Sequence, residues 1–543
     1  MVINSYDALH CFRNFCLVFL LAASVANEDQ VFILQRTPTL SSERIDPQMK
    51  KITRTIGTLM LAGLMLLSAS SLTSCSDTKT PADDSTSVAS TDAELTTPET
   101  KAWDALPIEN FDNYEFTVIT RPTTWSFDAM TSEEPDGDLL STIVYRRQSM
   151  IEGRLGIKMT EVNSQNIATE VANSVNTSTH IYDICQMPAG TALQSYLRGE
   201  IVDISQIETI DLENPWWAQS INDTVNIGQK RYVVFGEGHL NYYCGFYIYA
   251  FNKELIKNNQ LESPHDLVEA GTWTWEKMNE MMRAAAVDYD SNGVYDVSTD
   301  ILGFTGHINH MRNLMISSGE TITQTDENGY PTYNGLTERY IDIYTSFLNK
   351  FVDDPTAAIA ECSPNRYEGY SSSAGTDNYA AVFNEGRALF QCSATYAIQS
   401  VRGLEFEYGL VIPPKYDLDQ EDYVAPVYSY VEGIAVPSTN PDLDRTGLIV
   451  ETLYAMSHGS LVDTLVGNIL HYKCSQNPTD IKMINMVFEK GQIDIALANN
   501  FGNSISLLHN LHMFHNPNIA SAFKTYEKKL QADIAASIPD SKD

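Results

Sequence analysis

The chain has 543 residues, 35 Lys and Arg against 70 Asp and Glu, a formal net charge of -35, and 43% apolar residues. That balance offers no basic stripe to a polyanion, so it argues against nucleic acid and against an anionic lipid surface as partners; the acidic excess mainly reports solubility. The length exceeds one ordinary core, and the apolar fraction can fill two or more lobes.

Residues 1–48 carry an apolar patch, Phe15 to Val25, but fit no folded element and are expected to be an extension ahead of the true start. The stretch from Met49, MKKITRTIGTLMLAGLMLLSASSLTSC, reads as a secretion signal over 49–74. Lys50, Lys51 and Arg54 form a cationic head, and Ile56 to Leu67 an apolar run too short to span a bilayer well. Its ending, Leu72-Thr73-Ser74-Cys75, resembles the bacterial lipobox. The resemblance implies lipidation of Cys75 and a protein held outside the cell, on the outer face of the cytoplasmic membrane. An ordinary signal peptide or a lone anchor are the alternatives, and both keep the chain outside.

From Cys75 to 111 the chain starts as a tether. Ser76 to Lys101 is Ser, Thr, Asp and Pro with almost nothing apolar, so it cannot bury enough surface to fold. At Tyr114 the pattern changes. YEFTVITR alternates like a strand; Leu140, Ile143, Val144, Ile151 and Leu155 recur at helical spacing up to Gly156; Ile157 to Val162 is strand-like again. Tyr182 to Cys185 gives a further strand, and TALQSYLRGEIVDIS a helix ending at Gly199. Strands alternating with helices predict an α/β protein with a mainly parallel sheet.

Further on come Asn214-Pro215-Trp216-Trp217, then GQKRYVVFGEG, then a strand-to-helix junction from Cys244 to Lys253. Gly271 to Glu276, read GTWTWE, looks like a helix entry with Thr274 as cap. Phe383 to Phe390 gives a turn and strand, Tyr408 to Pro414 another strand, Val431 to Pro437 a return strand, and LDRTGLIVETLYAMSHG a helix. In this order the segments resemble the extracellular solute-binding proteins of ABC importers, in particular the carbohydrate-binding, maltose-binding-protein-like branch, from about Tyr114 to the C-terminus. The resemblance implies a type II periplasmic-binding-protein-like fold: two α/β lobes, a cleft between them, and a hinge of crossing strands. Lobe one is placed at 112–243 plus 433–480, and lobe two at 250–428 plus 481–543 with the C-terminal helices.

A sugar needs flat aromatic surfaces for its CH faces and amides, carboxylates and Arg for its hydroxyls. In open α/β sheets ligands sit outside the carboxyl ends of the strands. That rule selects Arg121 and Trp125 after the first strand, Gln186 after the Cys185 strand, and Tyr243 at the first crossing. It also selects His307 and Asn309 after ILGF, Tyr396 after FNEGRALF, and Tyr428, Tyr430 and Glu432 at the second crossing. Trp217 is retained beside the reading that it pins a loop onto lobe one; Trp273 and Trp275 read as core.

Asp288, Asp290, Asn292, Val294 and Asp296, with Gly293 at the turn, match a calcium loop at positions one, three, five, seven and nine; position twelve is Thr299 and the acid falls one later, at Asp300. An Asx-rich surface turn without metal is the alternative. A calcium ion there would be structural, and no other cofactor is expected. His509, His512 and His515 recur at three-residue steps without an acidic partner, which reads as packing or solvent contact. Cys185, Cys244, Cys362, Cys392 and Cys474 read as mostly free thiols, with a Cys362–Cys392 bridge left open.

No GxSxG, GxxxxGK[ST] or helix-opening GxGxxG occurs. The expectation is therefore a non-enzymatic, monomeric binding component that passes an oligosaccharide to a membrane permease. The alternatives are a secreted lipoprotein glycoside hydrolase and a glycan-binding surface lipoprotein with no transporter.

Overall fold

A computed structural model describes residues 103–121, 130–132, 139–307, 314–360, 378–395, 404–470 and 478–538. The signal segment, Cys75 and the tether up to 102 lie outside the described residues. Among the described residues no helix is long and apolar enough to cross a membrane.

The strands of four or more residues are β1 (Tyr114–Thr120), β2 (Ile157–Asn163), β3 (Ile184–Pro188), β4 (Tyr247–Asn252), β5 (Leu302–His307), β6 (Ala357–Ala360), β7 (Ala388–Ala394), β8 (Tyr408–Val411) and β9 (Glu432–Ala435). They form two sheets, in the orders β9-β3-β1-β2 and β8-β4-β7-β5-β6. In sheet one β1 runs parallel to β2 and β3, and β9 returns antiparallel with Glu432 opposite Pro188 and Ile434 opposite Gln186. In sheet two β5 is parallel to β6 and β7, while β4 is antiparallel to β7 and β8.

The helices follow from their spacing. Leu140, Val144, Ile151 and Leu155 of Leu139–Leu155 are buried one above another, and Arg147, also buried, shares that face. Its guanidinium is held inside lobe one, with Nη1 donating to Gly238 O at 2.6 Å and to Ser457 Oγ at 2.9 Å, and Nη2 to Met130 O at 2.8 Å. Thr274 caps Trp275–Ala285 by accepting from the Lys277 amide. Trp273 and Trp275 are buried, their indoles donating to Ile412 O and Ser317 Oγ.

Three stretches of chain run side by side between the sheets. The Gly245–Tyr247 stretch meets Val427 and Tyr428, with Tyr428 N donating to Gly245 O at 2.8 Å. The segment after Pro478–Glu489 is the third: Ala425 N donates to Lys490 O and Val427 N to Gln492 O. Gly245 is required here, because a Cβ would overlap Val431 Cγ1.

The C-terminal helices belong to neither sheet alone. Ile519–Ser537 packs against Ala189–Leu197 of lobe one and against Glu338–Phe347 of lobe two. Asp494 joins them, capping Ile495–Ala498 while accepting from the Ile322 amide of lobe two at 2.7 Å. A lobe-two hairpin also reaches lobe one: Gly228, at φ +62, donates to Gly329 O at 2.9 Å, and the Tyr330 ring fills the space beside it. One apolar cluster runs through the crossings into both lobes, and a second lies on the other side of sheet one around Phe116, Val118, Ile184, Ile434 and Leu453.

Candidate functional site

The carboxyl ends of both sheets converge on one short helix, Asn241–Cys244. From lobe one, Arg121 follows β1 and Glu432 opens the antiparallel β9, so the two lie at the same end of the sheet on either side of β3. Arg121 Nε is 3.1 Å from Glu432 Oε1; the carboxylate side chain is 2% exposed and the arginine 35%. Gln186, expected after this strand, is instead buried within β3 opposite Ile434, two residues before the Pro188 that faces Glu432. The Glu432 amide donates to Asn241 Oδ1 at 2.8 Å, which ties the second crossing to the first. From lobe two, Thr395, just past β7, donates through Oγ1 to Tyr243 O at 2.5 Å and through its amide to Phe246 O at 2.8 Å. His307 ends the neighbouring β5, half-buried; the register there sets Thr305 against Gln391.

The aromatic residues divide by role. Tyr428 and Tyr430 lie 5.5 Å apart with their rings tilted at 55°, and Tyr430 is 42% exposed. Tyr243 is buried instead, stacked on Phe246 and edge-on to Tyr242 and Phe488. Its ring is part of the hinge packing, and burial raises its hydroxyl well above the ordinary tyrosine range. Asn241 was not selected by sequence reasoning. Its only local signal is a polar residue opening an aromatic run, Asn241-Tyr242-Tyr243.

Trp217 is not brought to this junction. It stacks on Tyr454 at 4.1 Å inside lobe one, and its indole donates to Glu451 Oε2 at 3.1 Å. Trp216 Nε1 and Asn214 Nδ2 hold the other oxygen at 3.2 and 2.7 Å. The tryptophan pair thus pins its loop to the helix Leu443–Ser457, the alternative read from the sequence. Trp125, Asn309 and Tyr396 lie outside the described residues. Glu161 of β2 accepts from the Thr131 amide at 2.9 Å and from Thr120 Oγ1 at 2.6 Å.

In the Asp288–Asp296 loop the oxygens are turned inward on the loop itself. Asp288 Oδ2 accepts from Gly293 N at 2.7 Å, Asp290 Oδ2 from Asn292 Nδ2 at 2.8 Å, and Asn292 Oδ1 from Val294 N at 2.7 Å. Asp300 accepts from the Tyr289 and Asp296 amides. These bonds hold the Asp288 and Asp296 carboxyls below the usual range, led by the Gly293 amide for the first and the Ser298 hydroxyl for the second. Among the described residues no group of three or more His, Cys, Asp or Glu side chains converges as a metal centre. Cys185 and Cys392 are buried thiols outside any disulfide, so the bridge left open for Cys392 is not formed; Cys244 is buried as well, and Cys362 and Cys474 lie outside the described residues. His512 is buried against Tyr344 and Phe347, and His515 pairs with Asp353, which is packing and surface pairing rather than a metal face.

The two sheets with three crossings and a hinge between them have the two-lobe periplasmic-binding-protein-like fold. RafE of Streptococcus pneumoniae, solved in its apo form, is similar with a TM-score of 0.51 at 10% identity, over 79% of this chain and 99% of that one. A sugar transporter structure from Rhizobium etli, in an open conformation, is similar with a TM-score of 0.50 at 14% identity, over 77% of this chain and 99% of that one. No protein-family model and no curated protein matches the chain.

Proposed function

We propose that this chain is the substrate-binding component of an ABC importer, taking up an oligosaccharide or related polyhydroxy solute and passing it unchanged to a membrane permease. The observation that carries the reading is the meeting of both sheets' carboxyl ends at Asn241–Cys244, beside an Arg–Glu pair and a tilted tyrosine pair. Guanidinium and carboxylate offer donors and acceptors to hydroxyls, and Tyr428 and Tyr430 offer CH-binding faces. The ordered sequence segments, and the sugar transporter among the similar folds, support the same solute class.

In this reading binding is cleft closure. A ligand touching both lobes favours the closed form by its differential affinity, and the closed lobes present a composite face to the permease. The protein works as a monomer and catalyses nothing. Lipid on Cys75 holds it outside the cell beside the permease, raising the effective concentration of captured solute. The reading includes a structural calcium ion at Asp288, Asp290, Asn292, the Val294 carbonyl and Asp296; its support is Asp288 Oδ1, enclosed without a hydrogen-bond donor.

A thermal-shift screen of the purified protein against mono- and oligosaccharides, with and without EDTA, tests both parts. A sugar at a hundred times its Kd should add about 2.7 kcal/mol of stability. No shift with any sugar would overturn the solute reading. Melting curves that coincide with and without EDTA would remove the ion from it.

A further inference from the structure

Asp494 is a buried acid that the proposed function does not use. It stands where the third crossing enters the helix Ile495–Ala498, and it is 1% exposed. Oδ1 accepts from the Ala496 and Leu497 amides at 2.7 and 3.3 Å and so caps that helix, while Oδ2 accepts from the Ile322 amide at 2.7 Å. The two oxygens serve different lobes. Ile495–Ala498 packs against Gln219–Val225 of lobe one, and the Ala498 carbonyl lies so close to Gly190 there that a Cβ would not fit. Ile322 belongs to lobe two, in the stretch whose Ser317 hydroxyl donates to Pro414 O and accepts from the Trp275 indole. The carboxylate's hydrogen bonds come from backbone amides, and none comes from a cation.

Of the titratable groups on the surrounding elements, Tyr340 of Glu338–Phe347 lies within reach of the Asp494 charge, and burial raises its hydroxyl well above the ordinary tyrosine range, so it stays neutral. Glu320, two residues before Ile322, pairs with Arg339; Asp223 of Gln219–Val225 pairs with Arg231; Asp533 of Ile519–Ser537 pairs with Lys529. His512 of Ser504–Met513 packs against Tyr344 and Phe347. A buried carboxylate served only by neutral donors favours its protonated form, and Asp494 is pushed by burial up to about 6 from a usual 3.8.

We propose that Asp494 is an acid-tightened latch between the lobes, shut on Ile322 while it is buried and opened when the lobes part and water reaches it. Parting returns the carboxyl to the behaviour of an ordinary acid, so the open form releases a proton that the shut form keeps. Acid therefore favours the shut latch, and neutral pH weights it toward opening. The proton has a place, because Oδ2 takes one hydrogen bond where Oδ1 takes two, and protonation there displaces neither bond of the cap. Resting on the cleft-closure reading, the latch makes lobe rotation, and with it capture and release of the solute, depend on acidity outside the cell.

Hydrogen exchange read by mass spectrometry, on the purified protein without sugar at pH 5.0 and 7.5, tests the latch. After division by the intrinsic exchange rate at each pH, protection of the peptides carrying the Ile322 and Ala496 amides should be about tenfold higher at pH 5.0 in the parent. In Asp494→Asn, which keeps an oxygen for the cap and has no proton to titrate, it should be the same at both values. Glu451 and the histidines of Ser504–Met513 are common to both proteins, so the comparison removes them. Parent protection that is equal at the two pH values, or lower in acid, overturns the proposal. So does an Asp494→Asn protein that keeps the parent's response. If that variant does not fold, the parent's Ile322 peptide is set against its β1 peptide: a larger rise at Ile322 supports the latch, and equal rises overturn it. A protein that binds no sugar would remove the proposed function and leave this result standing, because the exchange is read without solute.

Discussion

Two glutamates buried in lobe one, Glu432 and Glu451, are held in different ways. Glu432 faces a guanidinium at the sheet edge, where Arg121 is partly open to solvent. Glu451, on the helix behind the sheet, faces only neutral donors: the indoles of Trp216 and Trp217 and the amide of Asn214. The first arrangement balances a charge at the sheet edge, where the proposed function puts the solute. The second spends its acceptors holding a loop in place. An acid near aromatic residues looks the same in both stretches of sequence, and its partner separates site from scaffold.

The largest expected effect is at the scaffold. Glu451→Ala strands three N–H donors in lobe one, which at about 1–3 kcal/mol each should cost on the order of 3–9 kcal/mol of unfolding free energy. Chemical denaturation measures it, and the protein that remains folded should bind its sugar with little change. A cost below about 1 kcal/mol would break the contrast, because Glu451 would then be no anchor.

The pH dependence sharpens it. Burial pushes the Glu451 carboxyl up to about 7 from a usual 4.5, with the indole and amide bonds only partly offsetting. Between those values the folded protein keeps a proton that the unfolded chain has lost, so the stability from Glu451 is lost as pH rises through this window and is constant above it. Asp494, raised to about 6 by its burial between the lobes, acts in the same direction from 3.8 upward. Denaturation at pH 4.5 and pH 7.5 should show parent stability falling relative to Glu451→Gln by on the order of 2 kcal/mol. Parallel profiles for the two proteins would mean that Glu451 titrates as an ordinary carboxyl.

The smallest change in stability should come from the crossing. Gly245→Ala forces Val431, the neighbour of Glu432, to shift, because the new methyl overlaps its Cγ1. The expected cost is about 1–2 kcal/mol of stability, as for other overpacked sites. Sugar affinity, read by calorimetry, should fall several-fold. Loss of stability with unchanged affinity would place the crossing with the scaffold instead of the site.

Much of this was legible in order along the chain. The strand–helix alternation from Tyr114, the Thr274 cap and the buried Trp273 and Trp275 follow from local periodicity and capping. Arg121 and Glu432 were chosen because strand ends can be read from sequence and open α/β sheets place ligands there, and the fold sets them at one end of sheet one, whereas Gln186, expected after the strand, lies within β3. Asn241 was missed because its partner, the Glu432 amide, lies 191 residues away and leaves no local pattern. Arg147 was missed because a charged residue on an apolar helix face is normally read as an interruption, whereas here three acceptors enclose it.

The sequence alone determined the secondary-structure elements, the acidic balance and the strand ends where polar groups gather, because each depends on a few neighbouring residues and on the periods of helix and strand. Tertiary structure decided the rest: that Glu432 meets Arg121 while Glu451 meets two tryptophans, that Tyr243 is packing and Tyr430 surface, and that the C-terminal helices touch both lobes. The reason is physical. Whether a buried polar group serves a solute or the scaffold depends on which distant donors and acceptors folding brings within about 3 Å of it.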